Sequence, residues 1–262
     1  MQEYSTLVLA PDEKRAAVVS RVKGQVDVWV LDLVSGVLSP LTHGGKASLN
    51  IGPWSPDSKR LAVNLAAGGI DEVTVAGGPS RVLAPDSLEA ESWLPDGGSL
   101  LCVAISQYRQ ILLLPLDVLK PRMLVDAPYR NAGLRFSPDG KFVAYDSIES
   151  GRQEVYVASF PGFAHKRQIS KDGGSYAAWS ADGKEIFYRE PANTLMVVGI
   201  QTGASIEAGV ARRLFQYGEA GPGNRFAVTG DGRRFLLMDY VQKADVASES
   251  VVVVNWAAEL KP

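Results

Sequence analysis

Glu89 has the clearest chemical potential in this 262-residue sequence. Six aspartates recur in similar turns, and the residues seven positions before them are Ser5, Asn50, Glu89, Ala132, Ser175 and Asn224. Five of these six are polar, and Glu89 is the only carboxylate among them. Carboxylate and amide oxygens suit a hard divalent cation such as calcium. Glu89, Asn50 and Asn224 therefore form a candidate ligand set, with Glu91 in reserve as a further ligand or acid–base group. A metal held there would polarise a carbonyl or phosphoryl oxygen and support hydrolysis. His43, in Thr42-His43-Gly44-Gly45, is the candidate general base for an activated water. Polar lining of a water-filled mouth explains the same ring without a cation, and a solvated loop explains His43.

A second constellation is suited to binding. Tyr108-Arg109, Tyr129-Arg130 and Tyr176 fall in expected loops. Tyr and Arg are favoured anchors for partners, so Tyr108, Arg109, Arg130 and Tyr176 are the candidate ligand contacts; they serve equally as ordinary loop residues. Other chemistries lack their motifs. Cys102 lies in an apolar run and reads as a core thiol; with His43 and His165 it cannot build an ordinary structural zinc site. No Gly-x-Ser-x-Gly elbow occurs, and Gly221-Pro222-Gly223 lacks a strand-to-helix phosphate loop around it. Asp146 and Glu149 flank a polar loop and are expected to face solvent.

What positions these residues is a repeat. The turn occurs as Ala10-Pro11-Asp12, Ser55-Pro56-Asp57, Leu94-Pro95-Asp96-Gly97, Ser137-Pro138-Asp139-Gly140, Ala181-Asp182-Gly183 and Gly230-Asp231-Gly232. The aspartates are spaced by 45, 39, 43, 43 and 49 residues, a period of propeller blades. Pro fixes φ, Asp caps the turn, and Gly accepts positive φ. Leu9, Trp54, Trp93, Phe136, Trp179 and Val228 sit three before each aspartate and should plug the core between blades. Alternating apolar residues then supply the strands, as in Lys141 to Asp146.

The expected fold is all-β: a six-bladed β-propeller of four-stranded antiparallel blades around a central channel. The blades fall near 5–42, 50–84, 89–125, 131–170, 175–215 and 224–256. A fourth strand is hard to find for the last blade, which suggests either a fragment or a three-stranded blade. Net charge of −2 and a pI near 5.8 offer no basic field for nucleic acid. No run reaches the roughly 18 apolar residues of a membrane span, and the N-terminus lacks a signal pattern. A monomer is expected.

Trp54-Ser55-Pro56-Asp57, Phe136 to Lys141 and Trp179 to Lys184 resemble the motif of TolB-like six-bladed β-propellers. Val251 to Leu260 is further similar to the C-terminus of propellers appended to bacterial serine/threonine kinases. The resemblance implies an extracytoplasmic sensor or scaffold, part of a larger protein, that holds a protein, peptide or small molecule at the channel mouth. It does not carry kinase activity. Glu89 with Asn50 and Asn224 resembles, in ligand type, the channel calcium site of six-bladed lactonases. The alternative function is therefore a metal-dependent hydrolase of esters, lactones or phosphotriesters. Blade one departs from the motif at Glu13, where Gly is expected, and blade six lacks Pro before Asp231.

Overall fold

The computed structural model describes residues 3–218, 226–243 and 246–254. Among them are six antiparallel sheets. The first is β1 (Glu3–Leu9), β2 (Arg15–Val22), β3 (Gln25–Asp32) and β4 (Leu38–Pro40). The second is β5 (Arg60–Asn64), β6 (Ile70–Thr74) and β7 (Arg81–Ala84). The third is β8 (Leu88–Trp93), β9 (Ser99–Ala104), β10 (Gln110–Pro115) and β11 (Arg122–Asp126). The fourth is β12 (Asn131–Phe136), β13 (Phe142–Ser147), β14 (Glu154–Ser159) and β15 (Lys166–Gln168). The fifth is β16 (Ser175–Trp179), β17 (Glu185–Glu190), β18 (Thr194–Thr202), β19 (Ile206–Ala208) and β20 (Arg212–Gln216). The sixth is β21 (Phe226–Val228), β22 (Phe235–Lys243) and β23 (Val246–Val254). A 3-10 turn, Pro191–Asn193, is the one helical element among the described residues, and no helix there is long and apolar enough to cross a membrane.

The chain divides into two compact units. One comprises residues 1–89 and 221–262, the other residues 90–220. In the first unit the first and last sheets adjoin: Glu13 accepts from the Gly230 N–H at 2.7 Å and pairs with Arg234 at 3.0 Å.

The turns form as their residues dictate. Ser137 Oγ donates to Asp139 Oδ1 at 2.6 Å and accepts the Phe142 N–H at 3.0 Å, while the Lys141 N–H closes on Asp139 at 3.1 Å. Ser55–Asp57, Ser180–Asp182 and Thr229–Asp231 repeat the arrangement. Hydrogen bonds from Ser55, Ser180 and Thr229 hold Asp57, Asp182 and Asp231 below the usual carboxylate range. The residue after each aspartate is left-handed: φ is 57° at Glu13, 59° at Ser58, 74° at Gly97, and 69° at Gly140, Gly183 and Gly232. Glu13 and Ser58 tolerate it because each side chain ties one turn to the next; Ser58 Oγ accepts the Asp12 N–H at 2.9 Å. At Gly140 no such tie exists, and an added Cβ would sit 3.3 Å from Pro95 Cδ. Gly140→Val is expected to cost roughly 1–3 kcal/mol by backbone strain. Urea melts with unchanged midpoints would show that this turn bears no strain.

Three expectations need correction. The second sheet lacks a first strand: Trp54 makes only an isolated bridge to Leu61. Pro53 has no N–H to donate, and Gly52 is pressed so close to the Ala62 carbonyl that an added Cβ would lie 2.1 Å from it. The fifth sheet has five strands, because β18 is long enough to pair both β19 and β20. The plugs are also uneven. Trp54, Trp93 and Phe136 are buried, whereas Trp179 is partly exposed. Trp54 and Trp179 nevertheless bond alike, their indole N–H groups donating to the Val8 and Arg135 carbonyls at 3.0 and 3.1 Å. Cys102 is fully buried and its thiol is pushed up by burial, then by the Glu91 charge, as suits a core residue.

Candidate functional site

The second unit assembles a polar cluster at the strand ends away from the turns. Tyr108 precedes β10 with φ of 56°, and Tyr176 interrupts the pairing of β16 with φ of 57°. Left-handed backbone is costly for a bulky residue, so each ring is held where the chain would not readily put it. Each ring carries a guanidinium: Arg130 lies 4.8 Å over Tyr108, and Arg189 lies 4.5 Å over Tyr176. Backbone bonds set the first ring, with the Tyr108 N–H donating to Ala104 at 3.0 Å and its carbonyl accepting from Asn131 at 2.7 Å.

Asp146 sets the second ring. It is the penultimate residue of β13, whose residues are all buried, and is itself 4% exposed. Its Oδ2 accepts the Tyr176 N–H at 3.0 Å and the Gln153 Nε2 at 3.4 Å, while its Oδ1 is enclosed without a partner. The expectation that Asp146 faces solvent is therefore wrong. Small residues opposite make the room: Ala132 pairs with Asp146, and a Cβ on Gly133 would lie 2.9 Å from Oδ2. Burial pushes Asp146 up to about 7; the Tyr176 N–H opposes this, Glu91 adds to it, and Arg135 and Gln153 oppose it. Glu149, its companion in the sequence reading, pairs with Lys166 instead.

Glu91 is buried and pairs with Arg135 at 3.5 Å, while Arg135 also donates to the Glu91 carbonyl at 2.7 Å. The Tyr176 hydroxyl is raised by burial, with Arg189 and Arg130 opposing and Asp146 and Glu91 adding. Those charges therefore act on one ring. Arg109 belongs to the scaffold: its guanidinium donates to the Ala127 carbonyl at 2.7 Å and to Gln107 at 3.0 Å. Arg189 went unnoticed in the sequence, and Asp146 was marked only as a solvent-facing loop residue. Both lie seven residues after a turn aspartate, as does Asn64, so a polar residue at that fixed offset was the available signal.

The proposed ligand set is only partly assembled. In the first unit, Asn50 Nδ2 donates to Glu89 Oε2 at 2.9 Å. Asn50 thus presents its amide nitrogen to Glu89, where a shared cation would need its oxygen. Asn224 lies outside the described residues. His43 is exposed at a separate cleft of about 330 Å3 with Asp27, Lys46, Asp71 and Ser80. Neither Asn50 nor Glu89 lines that cleft. Among the described residues, no group of three His, Cys, Asp or Glu side chains is placed to hold a metal ion.

No family model and no curated protein matches the sequence. Solved structures do match. A chain assigned as TolB from Agrobacterium tumefaciens is 19% identical with a TM-score of 0.67, over 88% of this chain and 87% of that one. TolB from Acinetobacter baumannii is 16% identical with a TM-score of 0.68, over 97% of this chain and 60% of that one. An oligogalacturonate lyase solved with manganese is 13% identical with a TM-score of 0.61, over 97% and 90%. At such identities the likeness establishes architecture alone. The chain has the fold of the TolB-like β-propellers, built of antiparallel sheets.

Proposed function

We propose that this protein is a binding module, a sensor or scaffold, whose site is the Tyr108–Arg130 and Tyr176–Arg189 cluster. One observation carries this: two tyrosines, both held in left-handed backbone, each bear an arginine across the ring. Strain of this kind costs about 1–3 kcal/mol per residue and persists where the surroundings fix a working geometry. A guanidinium stacked on a ring keeps its in-plane N–H donors, the fork that fits a carboxylate. The ligand is thus a protein, peptide or small molecule that presents a carboxylate beside an apolar or aromatic group. We take the six sheets as six blades and, on the resemblance to sensor propellers, place the protein outside the cytoplasm.

Thermal melting with phenylacetate and its uncharged isostere phenylacetamide tests the reading. The acid is expected to raise the melting temperature and the amide to leave it unchanged; equal responses would refute it. Calcium in the same assay distinguishes the metal-dependent hydrolase. No shift is expected with calcium, whereas a rise that disappears in Glu89→Gln would favour the hydrolase.

A further inference from the structure

We propose that Asp146 is a charge-operated catch on this site: ionised, it holds Tyr176 and the stacked Arg189 in place, and protonated, it releases them. This regulation rests on the binding reading above, although its test needs no ligand. Tyr176 keeps its left-handed backbone, and its N–H is bonded to Asp146 Oδ2. A bond to a carboxylate is roughly twice as strong as one to a neutral acceptor. Loss of the charge therefore weakens the contact that offsets the strain at Tyr176.

The groups facing Asp146 set when this happens. Glu91 on β8 and Arg135 on β12 act on it through their charges, Gln153 before β14 donates to it, and Tyr176 on β16 donates its backbone N–H. Glu154 on β14 is turned away, accepting from Ser170 and from the Gly173 N–H. Arg189 on β17 and Arg130 before β12 act on the Tyr176 hydroxyl through their charges. Burial dominates and brings Asp146 to about 7, inside the physiological range. The enclosed Oδ1 has no partner, so no hydrogen bond at that oxygen has to break when a proton binds there.

A free aspartate titrates near 3.9. Between about pH 4 and 7 the folded state holds a proton that the unfolded chain has lost, so stability from this group falls as pH rises through that window.

Proton–nitrogen correlation spectra across pH, with the Asp146 carboxyl carbon followed in parallel, test the catch. The Tyr176 amide should titrate with a midpoint near 7, together with the Asp146 carboxyl. Its exchange protection should drop on the order of tenfold below that midpoint. In Asp146→Asn both the amide titration and its pH-dependent protection should be flat. The wild-type carboxyl carbon needs no variant, so poor folding of Asp146→Asn cannot rescue the idea. A wild-type Tyr176 amide that does not move with the Asp146 carboxyl, or a titration surviving in Asp146→Asn, would overturn it. If phenylacetate fails to bind while Tyr176 still titrates, the catch stands and the ligand reading falls.

Discussion

Trp54→Ala is expected to destabilise the protein by roughly 3–5 kcal/mol, the range for emptying an aromatic core site. Trp54 is 4% exposed and packs with Ala17, Val19, Val28, Ile51, Leu61 and Val63. Its indole N–H bonds the Val8 carbonyl at 3.0 Å, and Arg15 lies 5.6 Å over the ring. Truncation removes the packing, the hydrogen bond and the cation–π contact together. Trp54→Phe separates them: it retains most of the packing but orphans the carbonyl, which costs about 1–3 kcal/mol. Urea unfolding with a constant slope measures both. A loss below about 1 kcal/mol in Trp54→Ala, the level of an ordinary point mutation, would mean that Trp54 is no plug.

Arg189→Gln has the second large effect, on binding. A charged hydrogen bond contributes about 1.5–3 kcal/mol, so affinity for a carboxylate ligand should fall roughly 10- to 150-fold. Arg189 is half-buried over Tyr176, and Gln keeps length and polarity while removing the charge. Arg130→Gln should weaken binding less, because Arg130 is exposed and more screened. Calorimetric titration with phenylacetate measures the ratio. Equal affinity in wild type and Arg189→Gln would remove Arg189 from the site.

The repeat was legible because local physics sets it. Ser137, Pro138, Asp139 and Gly140 satisfy one another within a few residues, so turn and sequence coincide. The departure at Glu13 is the exception, since its tie to Gly230 spans 217 residues of chain. The site was less legible because long-range packing makes it. Tyr108, Arg130 and Tyr176 could be marked by type, but the left-handed backbone of the two tyrosines could not. Asp146 looked solvent-facing because it borders a polar loop; only Ala132 and Gly133 opposite it explain its burial. The missing strand before Trp54 was signalled by Pro53, although Asn50 had been read as its beginning.

The most direct measurement is to localise phenylacetate on the wild-type protein by nuclear magnetic resonance. Shifts of the Arg130 and Arg189 Nε groups and of the Tyr176 amide are followed as the acid is added. Saturable shifts confined to these three, and absent with phenylacetamide, are the expected result. Shifts that do not saturate, that phenylacetamide reproduces, or that centre on other residues would contradict the assignment of this cluster as the binding site.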